Sequence, residues 1–385
     1  MTGAVDAVTA IANDVFLETA TVVEESPDTS HQQHLKGLHA DFKRRGFFEP
    51  SHLWKAQLLF WIPLFAASYV TMLVRPWGLW SLLAGPVSAV ALLTMGFMGH
   101  DAGHYALSRK AWVNDLWGQV TMTVLCGMTF GYWRSSHNAH HAHCQEIDGD
   151  PDMQFGVIFS VYPGSASWHT PLGRFFLRIQ RWAFWPLASF YWASLRYDAI
   201  RNLFTQPRDT RIDRFLLPLH WGLLIVLPGF LVGWQTTLTA YLILSFLSSL
   251  MTASVFIPNH IGMRRVEGGE ALSYLEQQIT TSRNVTNHRW FDFYYGGLNS
   301  QIEHHLFPRV SHHRYRAMRP AVRAFCQAHG LPYQEATFYG ALAAVSAHLS
   351  KMTAAYRTAR DADATGALLQ AQEAPIFGAN PDGVV

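Results

Sequence analysis

Hydrophobic positions along this 385-residue chain gather into four long uncharged runs, at residues 56–74, 77–99, 215–234 and 235–258. Each reaches or nearly reaches the ~20 apolar residues that a helix needs to cross a hydrocarbon core. Four such runs are too many for buried helices of a soluble domain. Only Arg75-Pro76 separates the first two, and the last two abut near Trp234-Gln235. The pattern therefore predicts two tight helical hairpins with both turns on one face of a membrane. The termini and the long loop 100–214 lie on the other. Two further stretches are apolar without being clean spans. Residues 116–133 are rich in Gly, Thr and Met, and residues 181–196 are aromatic and broken by Pro186. Both are expected as helices at the membrane surface. The pattern divides the chain into a polar segment 1–49 with no evident fold, a membrane domain 50–349, and a short helix with a loose tail over 350–385.

Charge orients this arrangement. Lys43, Arg44, Arg45, Lys55, Arg109, Lys110, Arg174, Arg178, Arg181, Arg264 and Arg265 all fall on the side of the termini, whereas the turns carry only Arg75. The positive-inside rule places the loop and both termini in the cytoplasm. Charged residues make up only 15% of the chain and aromatics 14%, a composition suited to lipid contact. A net charge of +2 with no single-sign tail gives no reason to expect nucleic acid. Cys126, Cys144 and Cys326 are too far apart for a Cys-x-x-Cys site and odd in number, so reduced cytosolic thiols are expected. The N-terminus, interrupted by Asp6 and Asp14, does not read as a signal peptide.

The unusual count is that of histidine, 20 residues. His100 and His104 stand at i, i+4. His137, His140 and His141 stand at i, i+3, i+4, and Gln301, His304 and His305 repeat that spacing with Gln in the leading place. On a helix these positions share one face. His260 follows the fourth run by two residues and His100 follows the second by one, so all four groups lie at the same membrane face. Most single histidines are exposed or satisfied in a core. That reading suits His31, His34, His39, His52, His169, His220, His288, His312, His313, His329 and His348, and His143 is open. Eight clustered imidazoles instead point to metal, and they exceed the four ligands of a closed zinc site, so two ions are implied. Imidazole suits iron, copper, zinc and nickel. Asp101, Asp150 and Asp152 are candidates to accept the free ring N–H of a ligand, although the Asp148-Gly149-Asp150-Pro151-Asp152 stretch reads equally as a solvated turn.

These motifs resemble the membrane fatty acid desaturases. The three histidine groups match the family's boxes in order and position. So do Gln278-Ile279-Thr280-Thr281, Asn284-Val285, Gly296-Gly297-Leu298-Asn299 and Leu306-Phe307-Pro308, over about residues 50–345. The leading Gln301 resembles the front-end branch, which includes linoleoyl-CoA and acyl-lipid desaturases, and His260 in Pro258-Asn259-His260 matches the family's extra ligand. The resemblance implies an all-α integral membrane protein whose cytosolic helical cap holds two iron ions on His100, His104, His137, His140, His141, His260, His304 and His305. Gln301, Asp101, Asp150, Asp152 and Asn259 are candidate residues behind them. It further implies O2-dependent oxidation of an acyl lipid or acyl thioester (acyl-CoA or acyl carrier protein). Many front-end members carry a fused cytochrome b5 with a His-Pro-Gly-Gly motif, which residues 1–49 lack. The likeness is therefore to bacterial inner-membrane members that take electrons from a separate ferredoxin or cytochrome b5-like donor and its reductase.

No Gly-x-Gly-x-x-Gly, haem or iron–sulfur motif supplies reductant within the chain. Arg309, Arg314, Arg316, Arg319 and Arg323 are expected either to dock an acidic donor or to rest on anionic lipid. Hydroxylation or acetylenic-bond formation on the same scaffold uses the same ligands. A zinc-dependent membrane hydrolase would show more spans and fewer histidines, and a metal transporter would carry ligands inside its spans, where only His220 lies.

Overall fold

A computed structural model describes residues 29–153, 158–267, 270, 272–286 and 288–363. Its helices are α1 (Thr29–Arg44), α2 (Leu53–Val74), α3 (Leu79–Gly103), α4 (Ala111–Gly118, continued by a π-helical stretch Gln119–Cys126), α5 (Phe130–Ala142), α6 (Pro171–Ala188), α7 (Tyr191–Thr205), α8 (Asp213–Val232), α9 (Trp234–His260), α10 (Tyr274–Thr280), α11 (Arg289–Tyr294), α12 (Gln301–Leu306), α13 (Tyr315–Ala328) and α14 (Phe338–Asp363). Two short strands, β1 (Asn284–Val285) and β2 (Glu335–Ala336), pair in parallel.

Among the described residues α2, α3, α8 and α9 are long and apolar enough to cross a membrane, and they form the two expected hairpins. The turns are made by Gly78 at φ 110° and Gly233 at φ 94°, conformations that a residue with a Cβ rarely adopts. Trp77, Leu79, Trp80, Phe230, Leu231 and Trp234 are exposed at this end, as an interfacial aromatic belt is. Inside the bundle polar groups satisfy one another, as a water-free medium demands. The Ser88 hydroxyl bonds Ser68 at 2.7 Å and the Tyr69 hydroxyl donates to the Leu224 carbonyl. His220 lies between the Val124 carbonyl and the Tyr241 hydroxyl at 3.0 and 2.7 Å, a satisfied core histidine.

Four stretches differ from the sequence-based expectation. Residues 116–133 do not lie flat. They run along α3 to Cys126, whose thiol faces the Leu92 carbonyl, eight residues or about 12 Å below His100. They then reverse at Gly127 (φ 75°) into α5. Small residues make this docking possible: a Cβ at Gly99 would stand 2.5 Å from Met122, and one at Gly103 2.6 Å from Trp133. Residues 181–196 belong to two helices. α6 leaves Leu172, Phe175 and Trp182 exposed, whereas α7 buries Arg196 against α9, bonded to Ser245 at 2.7 Å and stacked on Trp192 and Tyr241. At the ends of the chain, α1 seats Phe42 in a core with Ile279, Ile302, Phe307 and Met318. α14 runs unbroken through position 350 and packs Val345 and Leu349 beside Phe184. The tail beyond 363 lies outside the described residues.

Candidate metal centre

The four histidine groups arrive on four different supports. His100 occupies the last turn of α3, still helical, and His104 caps it. His260 is likewise the final residue of α9, so both spans run on as helix to the ligands themselves. α5 carries His137, His140 and His141. Its N-terminus is held by the buried Asp213 carboxylate, which accepts the Phe130 and Gly131 N–H groups at 2.7 and 3.2 Å and the Thr123 hydroxyl at 2.6 Å. α12 is a single buried turn. Ile302 N–H donates to the Asn284 side chain, and Glu303 is clasped by Tyr333 and Asn284 at 2.7 and 2.9 Å. His304 and His305 are thereby fixed from both sides.

All eight of these histidines converge. Potential ligand atoms of His100, His104, His137 and His304 lie within 4.8 Å of one another, and those of His140, His260 and His305, with Cys144, form a second such group. His141 stands between them, its ring 4.6 Å from that of His304 and 4.4 Å from that of His305. Hydrogen bonds aim most of the rings. Asp150 accepts His140 Nδ1–H at 2.9 Å, Gln278 Oε1 accepts His305 Nδ1–H at 2.7 Å, the Tyr315 hydroxyl accepts His304 Nδ1–H at 3.1 Å, and the Thr281 carbonyl accepts His260 Nδ1–H at 3.1 Å. For His140, His304 and His305 this leaves Nε2 toward the centre.

The donor set fits metal. Nε2 of His104, His304 and His305 is buried without a hydrogen-bond partner, a costly state for a polar atom. Nε2 of His137 stands 3.0 Å from that of His100 and 3.2 Å from that of His141. Two imidazole nitrogens held at about 2.1 Å by one ion, at a right angle, are about 3.0 Å apart. Burial, then repulsion from neighbouring imidazoles, drives His104, His137, His141, His304 and His305 well below the usual 6.5, so these rings are neutral and keep their lone pairs. Burial opposes charge on His140 as well, but the Asp152 and Asp150 carboxylates outweigh it and raise its pKa to about 9.

The residues expected behind the ligands have distinct places. Asp150 is buried and also accepts Gln145 and Asp152 N–H at 2.7 and 2.8 Å, so it shapes the turn and holds His140 at once. Asp152 is largely exposed, 3.6 Å from His140 Nδ1. Asp101 lies 4.0 Å from His100 Nδ1, beyond hydrogen-bond range. It accepts from the Ser311 hydroxyl and from His312 N–H and Nδ1–H at 3.1, 3.1 and 2.8 Å, tying α3 to the segment after α12. Asn259 donates to Gln301 Oε1 at 3.0 Å, and the Gln301 amide faces His260 Nε2 at 2.9 Å. His143 is half exposed and pairs with Glu146, outside the cluster.

Sequence reasoning did not find the parts played by Gln278, Thr281, Tyr315, His312 and Cys144. Gln278 and Thr281 stand in the Gln-Ile-Thr-Thr stretch already noted; Tyr315 and His312 carry no local signal. Burial and Asp150 keep Cys144 a protonated thiol, a weak ligand in that form. Four of the five arginines after α12 are engaged with neighbouring groups, and Arg309 is exposed. Arg314 bonds the Gly46 and Phe47 carbonyls, Arg316 pairs with Asp292, buried Arg319 donates to Ser300, and Arg323 pairs with Glu335. A cavity of about 210 Å³ opens beside α2 and α3, bounded by Gln57, Thr94, Phe293, Gly296 and His312.

Comparison with known proteins agrees with this geometry. Residues 75–337 match the family model described as fatty acid desaturase. The chain is 27% identical over 319 residues to a Delta(8)-fatty-acid desaturase of Helianthus annuus, covering 79% of this chain and 69% of that one. It is 29% identical over 342 residues to an acyl-lipid (9-3)-desaturase of Borago officinalis, covering 84% and 74%. A Delta 8-(E)-sphingolipid desaturase of Komagataella phaffii is 27% identical over 256 residues, covering 62% and 47%.

Proposed function

Because this chain belongs to the fatty acid desaturase family, and is by that membership a membrane oxidoreductase acting on acyl lipids, we propose that its eight histidines hold two iron ions. With iron held there, the protein would use dioxygen and two external electrons to place a double bond in the acyl chain of a lipid or acyl thioester. The observation that carries the reading is the convergence of eight imidazoles from four supports, seven of them in two adjoining groups with His141 between, several with unpartnered buried nitrogens. Iron bound there would supply what no side chain has, the activation of dioxygen for removing hydrogen from an unactivated methylene.

The protein's own residues do the rest. Burial keeps His104, His137, His141, His304 and His305 neutral, and Asp150, Gln278, Tyr315 and Thr281 engage Nδ1 of His140, His305, His304 and His260 and so fix those rings. Trp133 stacks on His137 with ring centroids 4.7 Å apart, closing that side to water. The cavity beside Thr94 and Phe293 opens next to the apolar faces of α2 and α3, which suits an acyl chain entering from the bilayer. The Lys/Arg asymmetry supports placing this whole cap in the cytoplasm. The test is iron per chain in purified protein, together with double-bond mapping of lipids from a host with and without the gene. About two irons and a new unsaturation are expected; one zinc with no iron would remove the two-iron reading, and a hydroxylated or acetylenic product would change the reaction.

A further inference from the structure

Between Asp152 and Asp198 the sequence holds no acidic residue, yet it places Arg174, Arg178 and Arg181 on one helix, α6. The three stand at i, i+4 and i+7, so they climb one side of that helix over about 10 Å. All three are exposed. Arg174 Nε donates to the Trp168 carbonyl at 2.9 Å, and the Arg181 guanidinium lies 4.8 Å from the Trp182 ring centroid. None of the three pairs with a carboxylate among the described residues.

The other two sides of α6 have different surroundings. Gly173, Leu177, Gln180 and Phe184 are buried and fasten the helix to the protein. Gln180 donates to the Leu349 carbonyl of α14 at 2.9 Å, and the Thr353 hydroxyl donates to the Leu177 carbonyl at 2.7 Å. The remaining side exposes Leu172, Phe175, Ile179 and Trp182, the last at 73%. By helical spacing the arginines run between the packed side and this apolar one. Phe184 shares a core with Ile261, the residue after His260, so α6 lies at the end of α9 where the histidines are. Trp112 of α4 and Trp290 of α11, each close in the chain to a histidine group, are exposed as well, as in an aromatic belt at a membrane surface.

An apolar side and a row of cations on adjacent sides of one helix, at this level, fit the boundary between acyl chains and phosphates. We propose that α6 is a binding surface for anionic phospholipid. Leu172, Phe175, Ile179 and Trp182 lie among the acyl chains, and Arg174, Arg178 and Arg181 hold the phosphodiester groups. The planar guanidinium suits this role, because its fork of donors meets two phosphate oxygens at once. A soluble anion would engage the arginines and leave the apolar side in water, so the occupant is a lipid. The proposal does not depend on which metal the histidines hold.

The experiment reads Trp182 fluorescence in the purified protein, reconstituted in vesicles of equal parts phosphatidylcholine and phosphatidylglycerol. Brominated acyl chains, which quench tryptophan on contact, are carried by one lipid or by the other. The Trp182 signal is the difference between each protein and its Trp182→Phe counterpart. In wild type, brominated phosphatidylglycerol should quench Trp182 several times more effectively than brominated phosphatidylcholine. In Arg178→Gln with Arg181→Gln the ratio should fall to about one, and ~0.5 M NaCl should lower it in wild type. Quenching by brominated phosphatidylcholine should persist in the double variant, with α6 still seated in the bilayer. Three results overturn the assignment. They are equal quenching by the two lipids in wild type, a ratio that the double variant leaves unchanged, and loss of quenching by both lipids in that variant. In the last case the arginines hold the helix in place without selecting a headgroup.

Discussion

At the scale of single residues, what distinguishes the site is how each imidazole is held. Replacing His137 or His304 with Ala should abolish turnover while leaving the protein in the membrane, since the spans do not depend on either ring. Asp150→Asn is subtler. The amide still fills the turn but no longer draws on His140 Nδ1–H as a carboxylate does. Iron retention or activity should fall about 10–100-fold, read as iron per chain and product formed per minute. Asp152→Asn, at an exposed side chain, should stay near wild type. Equal effects of the two substitutions would mean that the acidic stretch acts by net charge rather than by this hydrogen bond.

At the scale of elements, the second histidine group depends on a helix start. α5 begins where Asp213, from the first turn of α8, accepts two backbone N–H groups and the Thr123 hydroxyl. Asp213→Ala leaves buried donors unpaired, at about 1–3 kcal/mol each. A lower apparent melting temperature in detergent should accompany a loss of activity, because α5 carries three of the eight histidines. Asp213→Asn should recover part of both. The approach of the π-helical stretch to α3 is tested by Gly99→Leu. Even a Cβ at that position meets Met122 at 2.5 Å, so the larger side chain should reduce folded protein on size-exclusion chromatography, whereas Gly37→Leu, with open space around its Cα, should not.

For the whole molecule, the two hairpins place every histidine support at one end of the bundle. Reporter fusions at residue 76 and after residue 363 should lie on opposite sides of the membrane, with the C-terminal one cytoplasmic; a shared side would break the hairpin topology. The centre also joins elements far apart in the chain, from α3 to α12, so metal should act as a cross-link. Iron bound to the folded state alone stabilises it by mass action. Chelation should therefore lower the melting temperature, and added Fe(II) should restore it. A melting temperature indifferent to chelation would mean that the metal binds loosely or elsewhere.

Periodicity and length were enough to read the four spans, their pairing and the eight converging histidines, because a membrane span needs ~20 apolar residues and a helix repeats its face at i, i+3 and i+4. These are local rules, and they hold whatever the rest of the chain does. The descent of residues 116–133 along α3 was not legible, since it depends on glycines of one helix facing Met122 and Trp133 of another segment. Nor were the roles of Asp213, Gln278 and Tyr315, each of which meets its partner across a long stretch of sequence, or the internal use of Arg316 and Arg319. Tertiary structure alone decides these, because a hydrogen bond or an ion pair depends on distance in space, and spacing along the chain carries no record of which distant groups the fold brings together.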